Sequence, residues 1–560
     1  VEKEHKNMRR YNILNKKASV MAIALCAMFI VLSFSGCVEE EGNGKVEMKN
    51  PDTLVYYTFG DAKTLDPADA YDSASAEAIF SIYEGLITYK GDDLDTFYPS
   101  LATSWDVSED SKTWTFNLRE DVKFSNGNDF TAEDVKYSFD RVLEMNSPES
   151  GVAWILSQSI DENSTKVIND YKIQIDLIEP YGGFLSTIAY TVGFIVDKDY
   201  VEEHGGIVAD TENEYLKLNP MGTGPYMLDH WTRNTEMVLV KNPNYWGGWD
   251  GKHVDKVVIK YANEAATRIL ALKNGDADIA VIPNENLVDL EDDEGIIIIA
   301  YDSFDTVMAE FNTVGTAFPY IQEKDVRRAL SYAFNYESAI EDAYVGYMSR
   351  LPGCIPVGMP YYDTQNNGVP IYDYDLDMAE QILDAAGYTE NEDGNRFDGA
   401  TIRLFYNAGN TERYKMALAF QESLNEIGIL SSVIAENWPQ LLHRMYTTSD
   451  WEILFIGWGP DYNDPDDYIF PFVGSADIHG DSYNTGWKNE TVDEKILIGK
   501  YSADPDVREQ AYKDAFEIYI QDPSMIFIGQ RQYIRPKRDW VKGYYYNPVR
   551  DWYWYDYYKE

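Results

Sequence analysis

The sequence predicts an α/β protein with α+β additions, and three features predict it. From Asp325 onward helical and extended patterns alternate. Helices are expected over 325–344, 376–386 and 412–427, the last two stopped by Gly387 and Gly428, and strands over 401–406, 432–435 and 453–456. Such alternation implies a largely parallel sheet. Second, residues 453–456 form a short apolar run suited to a strand buried on both faces, broken at once by Gly457-Trp458-Gly459-Pro460. Third, the block 94–219 differs in character and predicts a small α+β unit of its own. In it Trp114 to Leu118 alternate like a half-buried strand, Asn126-Gly127 marks a tight turn, and Thr131 with Asp134 forms a capping box before Val135, Phe139 and Val142.

The remaining elements follow in order. A strand at 53–58 leads to the turn Leu65-Asp66-Pro67. An amphipathic helix over about 75–84 then presents Ala78, Ile79, Ile82 and Tyr83 on one side. A loop at Gly222-Thr223-Gly224-Pro225-Tyr226 precedes a strand at 237–240. A helix over 265–274, ended by Gly275, precedes a buried strand at 277–283. The tail 544–558, crowded with Tyr and Trp, is expected to close the fold as a strand packed on the first domain.

At 560 residues the chain exceeds what one core supports, so two to four domains are expected. A net charge of −48 repels nucleic acid and anionic lipid heads and favours cationic or zwitterionic partners. At the N-terminal end Arg9, Arg10, Lys16 and Lys17 precede an apolar run from Val20 to Phe34, too short for a membrane span but suited to the core of a signal peptide. Residues 1–36 hold six Lys/Arg and two Asp/Glu, so their removal takes the charge to −52. The run ends in Phe34-Ser35-Gly36-Cys37, which resembles a lipobox whose cysteine is lipidated, although Phe34 is larger than usual there. Residues 37–49 then form a flexible tether. With Cys26 removed and Cys37 lipidated, Cys354 has no disulfide partner and is expected to be buried and inert.

No catalytic constellation is present: there is no GxSxG elbow, SxxK pair or GxxxxGK loop, and the six histidines show no ligand spacing. The stretch Asp461–Asp466 departs from a calcium loop at Pro465, Asp466 and Phe472. No enzyme activity, metal or cofactor is therefore expected. A buried strand ending in a Gly/Pro turn that carries carboxylates is instead how an α/β sheet presents a ligand site.

Five blocks carry a resemblance across nearly the whole chain: LDPADAYDSASAEAIFSIYEGLITY, LATSWDVSEDSKTWTFNLREDVKFSNGNDFTAEDVKYSFDRVL, GTGPYMLDHW with KNPNYWGG, DVRRALSYAFNYESAI and ILFIGWGPDYNDPDDY. In this order they resemble the extracytoplasmic solute-binding proteins of ABC importers, family 5 (oligopeptide, dipeptide and nickel binding). The resemblance implies a periplasmic-binding-protein-like two-lobed clamp with an extra domain. Lobe I would comprise 50–93, 220–300 and 525–560, the extra domain 94–219 and lobe II 301–524, with hinges near 300 and 525. It further implies a monomer that captures oligopeptides or dipeptides, delivers them to a membrane permease and is anchored on the outer face of the membrane. The same fold with a nickel chelate or an oligosaccharide, or a surface sensor or adhesion protein without transport, are the alternatives.

By the same resemblance Asp461 pairs with the ligand's α-ammonium. Trp458, Gly459 and Pro460, with Asn463 beyond them, form the strand-pairing segment, Tyr71-Asp72-Ser73 its counterpart on the first lobe, and Trp438 lines a side-chain pocket. Physical chemistry supports the role of Asp461, because an ammonium buried without a carboxylate costs several kcal/mol. Asp464, Asp466 and Asp467 are expected to cap the next helix or face water. The sequence singles out no arginine for a ligand's carboxylate: Arg403, Arg413 and Arg444 are candidates in the second lobe, each of which also reads as a surface residue.

Overall fold

Two long strands organise the molecule. Ile296–Phe311 and Met525–Arg538 run antiparallel to one another, and their register shifts between Asp302 and Thr306. The shift divides one sheet into two halves. Beside Ile296–Asp302 and its partner residues lie Ile279–Ala280, Thr53–Thr58, Lys256–Tyr261, Glu236–Lys241 and Tyr226–Thr232. Beside Thr306–Phe311 lie Ile453–Trp458, Thr401–Asn407 and Leu430–Glu436. The computed structural model describes residues 46–147, 152–314, 317–478, 480–550 and 552–560. The expected signal peptide and Cys37 lie outside them.

The sheet is mixed rather than largely parallel. Thr53–Thr58 with Lys256–Tyr261 and Thr401–Asn407 with Leu430–Glu436 are parallel, but every pairing of the two long strands is antiparallel. Those strands join segments more than two hundred residues apart, which local alternation does not encode. The helix expected over 325–344 is also divided. Lys324–Ala333 ends at the extended Phe334, and Asn335 caps a second turn by accepting the Ser338 N–H at 3.0 Å. An Asn side chain that competes for a backbone donor ends one helix and starts another.

The extra unit holds a four-stranded antiparallel sheet in the order Ala102–Val107, Thr113–Leu118, Lys172–Asp176, Thr165–Asn169. The helix Ala132–Met145 has the expected capping box and buries Val135, Phe139 and Val142. Arg141 on this helix clasps Asp66, in the loop after the first strand, through both guanidinium arms, and both side chains are buried. The aromatic tail packs where expected but in another form. Trp552 and Trp554 lie on Tyr56, the Trp554 indole donates to the Glu77 carbonyl at 2.7 Å, and strand pairing is confined to Tyr558–Lys559. Cys354 is buried and free, and burial pushes its thiol up.

Arg141→Ala strands the Asp66 carboxylate in a dry site, so a loss of about 3–5 kcal/mol is expected. Denaturant unfolding of the variant checks this, and a loss below about 1 kcal/mol contradicts it.

Candidate ligand-binding cleft

Ile453–Trp458 pairs along its whole length with Thr306–Phe311 on one side. On the other it meets Thr401–Asn407 only at Ile453 and Leu454. Gly457 and Trp458 therefore present one edge to which no strand is paired. Backbone crowds Gly457, and a side chain approaches Gly459. A Cβ on Gly457 would stand 2.7 Å from the Thr306 carbonyl, and one on Gly459 would stand 2.9 Å from Asp305 Oδ1. The Trp458 ring packs edge-on against Phe472 and Tyr483, and the Tyr483 hydroxyl donates to the Gly457 carbonyl at 3.1 Å. Gly459 is exposed and Pro460 half-buried, and the chain then turns inward.

Asp461 is 5 % exposed. Its Oδ2 accepts from the Tyr71 hydroxyl at 2.7 Å, and that hydroxyl accepts from the Trp154 indole at 3.1 Å. The Asp461 N–H donates to Asp467 Oδ2 at 2.9 Å, while Asp467 Oδ1 is buried without a partner. No Lys, Arg or His among the described residues pairs with either carboxylate. Burial pushes the Asp461 carboxyl up to about 7, against the pull of the Tyr71 hydrogen bond. Burial, and then the charge of Asp461, drives Asp467 well above the usual range.

The other acids of the turn have protein partners. Arg508 donates to Asp464 at 2.6 Å. Asp466 accepts from Tyr462 at 3.0 Å and from Tyr181 and Lys500 at 3.1 Å. All three of Asp464, Asp466 and Asp467 are buried, which corrects the expectation that they face water. The physical reason is the extra unit, which covers them: Gln158 accepts from Lys500 at 2.6 Å and donates to the Tyr462 hydroxyl at 3.2 Å. Asp464 accepts the Asp466 N–H at 3.0 Å ahead of the helix Asp466–Val473, whose N-cap position is Pro465. Asn463 is engaged in the same joint, donating to the Leu94 carbonyl at 2.9 Å while its own carbonyl accepts from Ser186.

Of Tyr71, Asp72 and Ser73, Tyr71 is the one that reaches Asp461. Asp72 caps the helix Ser73–Ile82 through the Ser75 N–H at 2.9 Å, and Ser73 opens that helix, exposed. Trp438 starts the helix Trp438–His443 and is 45 % exposed.

The three arginines separate cleanly. Arg403 is held by Glu452 and Asp450, and Arg444 by Glu436 and Asp450. Arg413 donates to Asn407 Oδ1 at 2.7 Å and pairs with no carboxylate among the described residues. Its guanidinium lies 3.2 Å from the place a Gly457 Cβ would take, beside the unpaired strand edge, and desolvation lowers its pKa. Glu310, fully buried with neither oxygen partnered, lies in its electrostatic reach. Burial, and then Asp481, drives the Glu310 carboxyl well up. Glu310 was missed in the sequence although a lone acid in the apolar run Val307–Phe311 is a usable signal.

The model of the bacterial extracellular solute-binding proteins, family 5, matches residues 96–480. The chain belongs to this family. Family 5 proteins are two-lobed α/β solute-binding proteins of transporters rather than enzymes. The chain is 29% identical over 504 residues to a probable D,D-dipeptide-binding periplasmic protein of Escherichia coli, covering 89% of this chain and 92% of the relative. It is 26% identical over 518 residues to the dipeptide-binding protein of the same organism, covering 89% and 92%. Among solved structures, the periplasmic binding protein DppA of Helicobacter pylori with the peptide STSA superposes with a TM-score of 0.76 at 28% identity, covering 91% of this chain and 98% of that one.

For a family 5 protein without its solute, the raised Asp461 pKa has a defined sign. The stability it contributes is complete below the ordinary carboxylate value and is lost as pH rises through about 7. Asp461→Asn removes that loss. The ligand-free variant should gain on the parent by about 1.4 kcal/mol per pH unit between pH 5 and 7, then level off. Denaturant unfolding across pH measures this, and parallel curves for the two proteins contradict it.

Proposed function

We propose that the cleft captures short peptides by both ends, as an extended strand added to the free edge at Gly457 and Trp458. The observation that carries this is the buried Asp461–Asp467 pair, which lacks a protein cation, with the unpaired Arg413 guanidinium beside the same strand. Asp461 lies four positions beyond Gly457, at most about 14 Å of extended chain. A zwitterion lying along the edge brings its ammonium to Asp461 and its carboxylate to Arg413, and backbone hydrogen bonds serve any side chain. A neutral sugar answers neither charge, and a metal chelate leaves the strand edge unused. The printed ligands of the relatives, dipeptides and the peptide STSA, support the same reading.

In this account Trp458, Gly459 and Pro460 present the edge, and Tyr71 orients Asp461 across the cleft. Trp438, exposed, lines a side-chain pocket. The two lobes turn about the register shift at Asp302–Thr306, with the lobe and extra-domain boundaries near those expected from the sequence. The protein acts as a monomer, tethered to the outer face of the membrane by a lipid on Cys37, and hands its peptide to an ABC permease.

Thermal melting with di- to hexapeptides, their N-acetylated forms, oligosaccharides and nickel tests this. Peptides at one hundred times their dissociation constant should stabilise by about 2.7 kcal/mol. Acetylation, or Asp461→Asn, should abolish the shift, and Arg413→Gln should weaken it by about 2 kcal/mol or more. Equal protection by acetylated peptides refutes the role of Asp461.

A further inference from the structure

A second guanidinium lies within electrostatic reach of Arg413. Arg531, on the long strand Met525–Arg538, pairs with Asp305 Oδ2 at 2.8 Å, and Asp305 Oδ1 lies against Gly459 at the end of the free edge. Arg531 keeps 54 % of its side-chain surface open although protein rings it, with Tyr344, Tyr546 and Arg413 all within electrostatic reach. Apart from Asp305, its N–H donors meet no protein acceptor among the described residues.

The charge balance here is incomplete. Arg413 and Arg531 repel one another across a partly dry space, and among the described residues Asp305 is the one carboxylate paired with either. One ligand carboxylate at Arg413 leaves the free N–H groups of Arg531 unanswered. These are donors that no hydroxyl, amide or ammonium on the ligand matches as well as an anion does, and a guanidinium offers several N–H groups to a carboxylate at once. We propose that Arg531 selects peptides with an acidic side chain at the residue next to, or at, the carboxyl end, taking that side-chain carboxylate while Asp305 holds the guanidinium in place. This rests on the peptide reading above and adds to it a preference by charge. A lysine at the same position meets two guanidinium groups and is disfavoured.

Calorimetric titration of the full chain with Ala-Ala, Ala-Gln, Ala-Glu and Ala-Lys tests it, the readout being the ratio of affinities for Ala-Glu and Ala-Gln. The parent should prefer Ala-Glu by about tenfold, the scale of one charge-assisted hydrogen bond. Arg531→Gln should bring the ratio to about one, whereas Asp305→Asn, which frees the guanidinium, should raise it. Opposite shifts in two variants of one ion pair are not produced by misfolding. A parent ratio near one overturns the proposal, as does a ratio that falls in both variants. If Ala-Ala binds and the ratio is flat, the charge preference alone fails. If none of the four binds, the reading that the site captures dipeptides fails with it.

Discussion

Two buried acids joined by one backbone hydrogen bond, with no Lys, Arg or His paired to either among the described residues, are the constraint on which this structure depends. Asp461 and Asp467 meet through one backbone hydrogen bond, and Asp467 has an oxygen with nothing to accept from. A fold that only needed stability would replace such a pair with apolar side chains. Its retention is accounted for if the missing charge arrives with a solute. The strain then favours the liganded state, because whatever brings a cation relieves a cost that the empty protein bears.

The elements around the pair serve that end. The apolar strand Ile453–Trp458 delivers the turn to the rim of the sheet, and the two glycines bring the edge close to Thr306 and Asp305. Tyr71, with Trp154 behind it, reaches Asp461 from the opposite side of the cleft. Lys500, Arg508, Gln158 and Tyr181 pair with or cover the neighbouring acids, which leaves Asp461 and Asp467 as the acids of the turn without a cation among the described residues. At the other end Glu452, Glu436 and Asp450 occupy Arg403 and Arg444, and Arg413 keeps its charge for the cleft.

The site's framework was legible in the sequence because it is local. An apolar run, a Gly/Pro break and the acid after it occupy adjacent positions, and the capping box at Thr131 and Asp134 is equally short in range. What escaped depends on residues far apart. Asp464 and Asp466 look like surface acids until Gln158 and Tyr181 are folded over them. Nothing near Arg413 distinguishes it from Arg403, whose partners Asp450 and Glu452 come from the loop before Ile453–Trp458. The break at Phe334 and Asn335 and the pairing of the two long strands were hidden for related reasons. A capping Asn inside a helical pattern is ambiguous, and the antiparallel crossing of Ile296–Phe311 with Met525–Arg538 joins segments more than two hundred residues apart.

The central claim, that a ligand ammonium replaces a proton held by the acid pair, is tested most directly by counting protons. Peptide binding measured by calorimetry at pH 6, in buffers of different ionisation enthalpy, gives the number released. Roughly one proton should leave per peptide bound at pH 6, with the release gone by pH 8. Tight binding at pH 6 with no proton released would contradict the account.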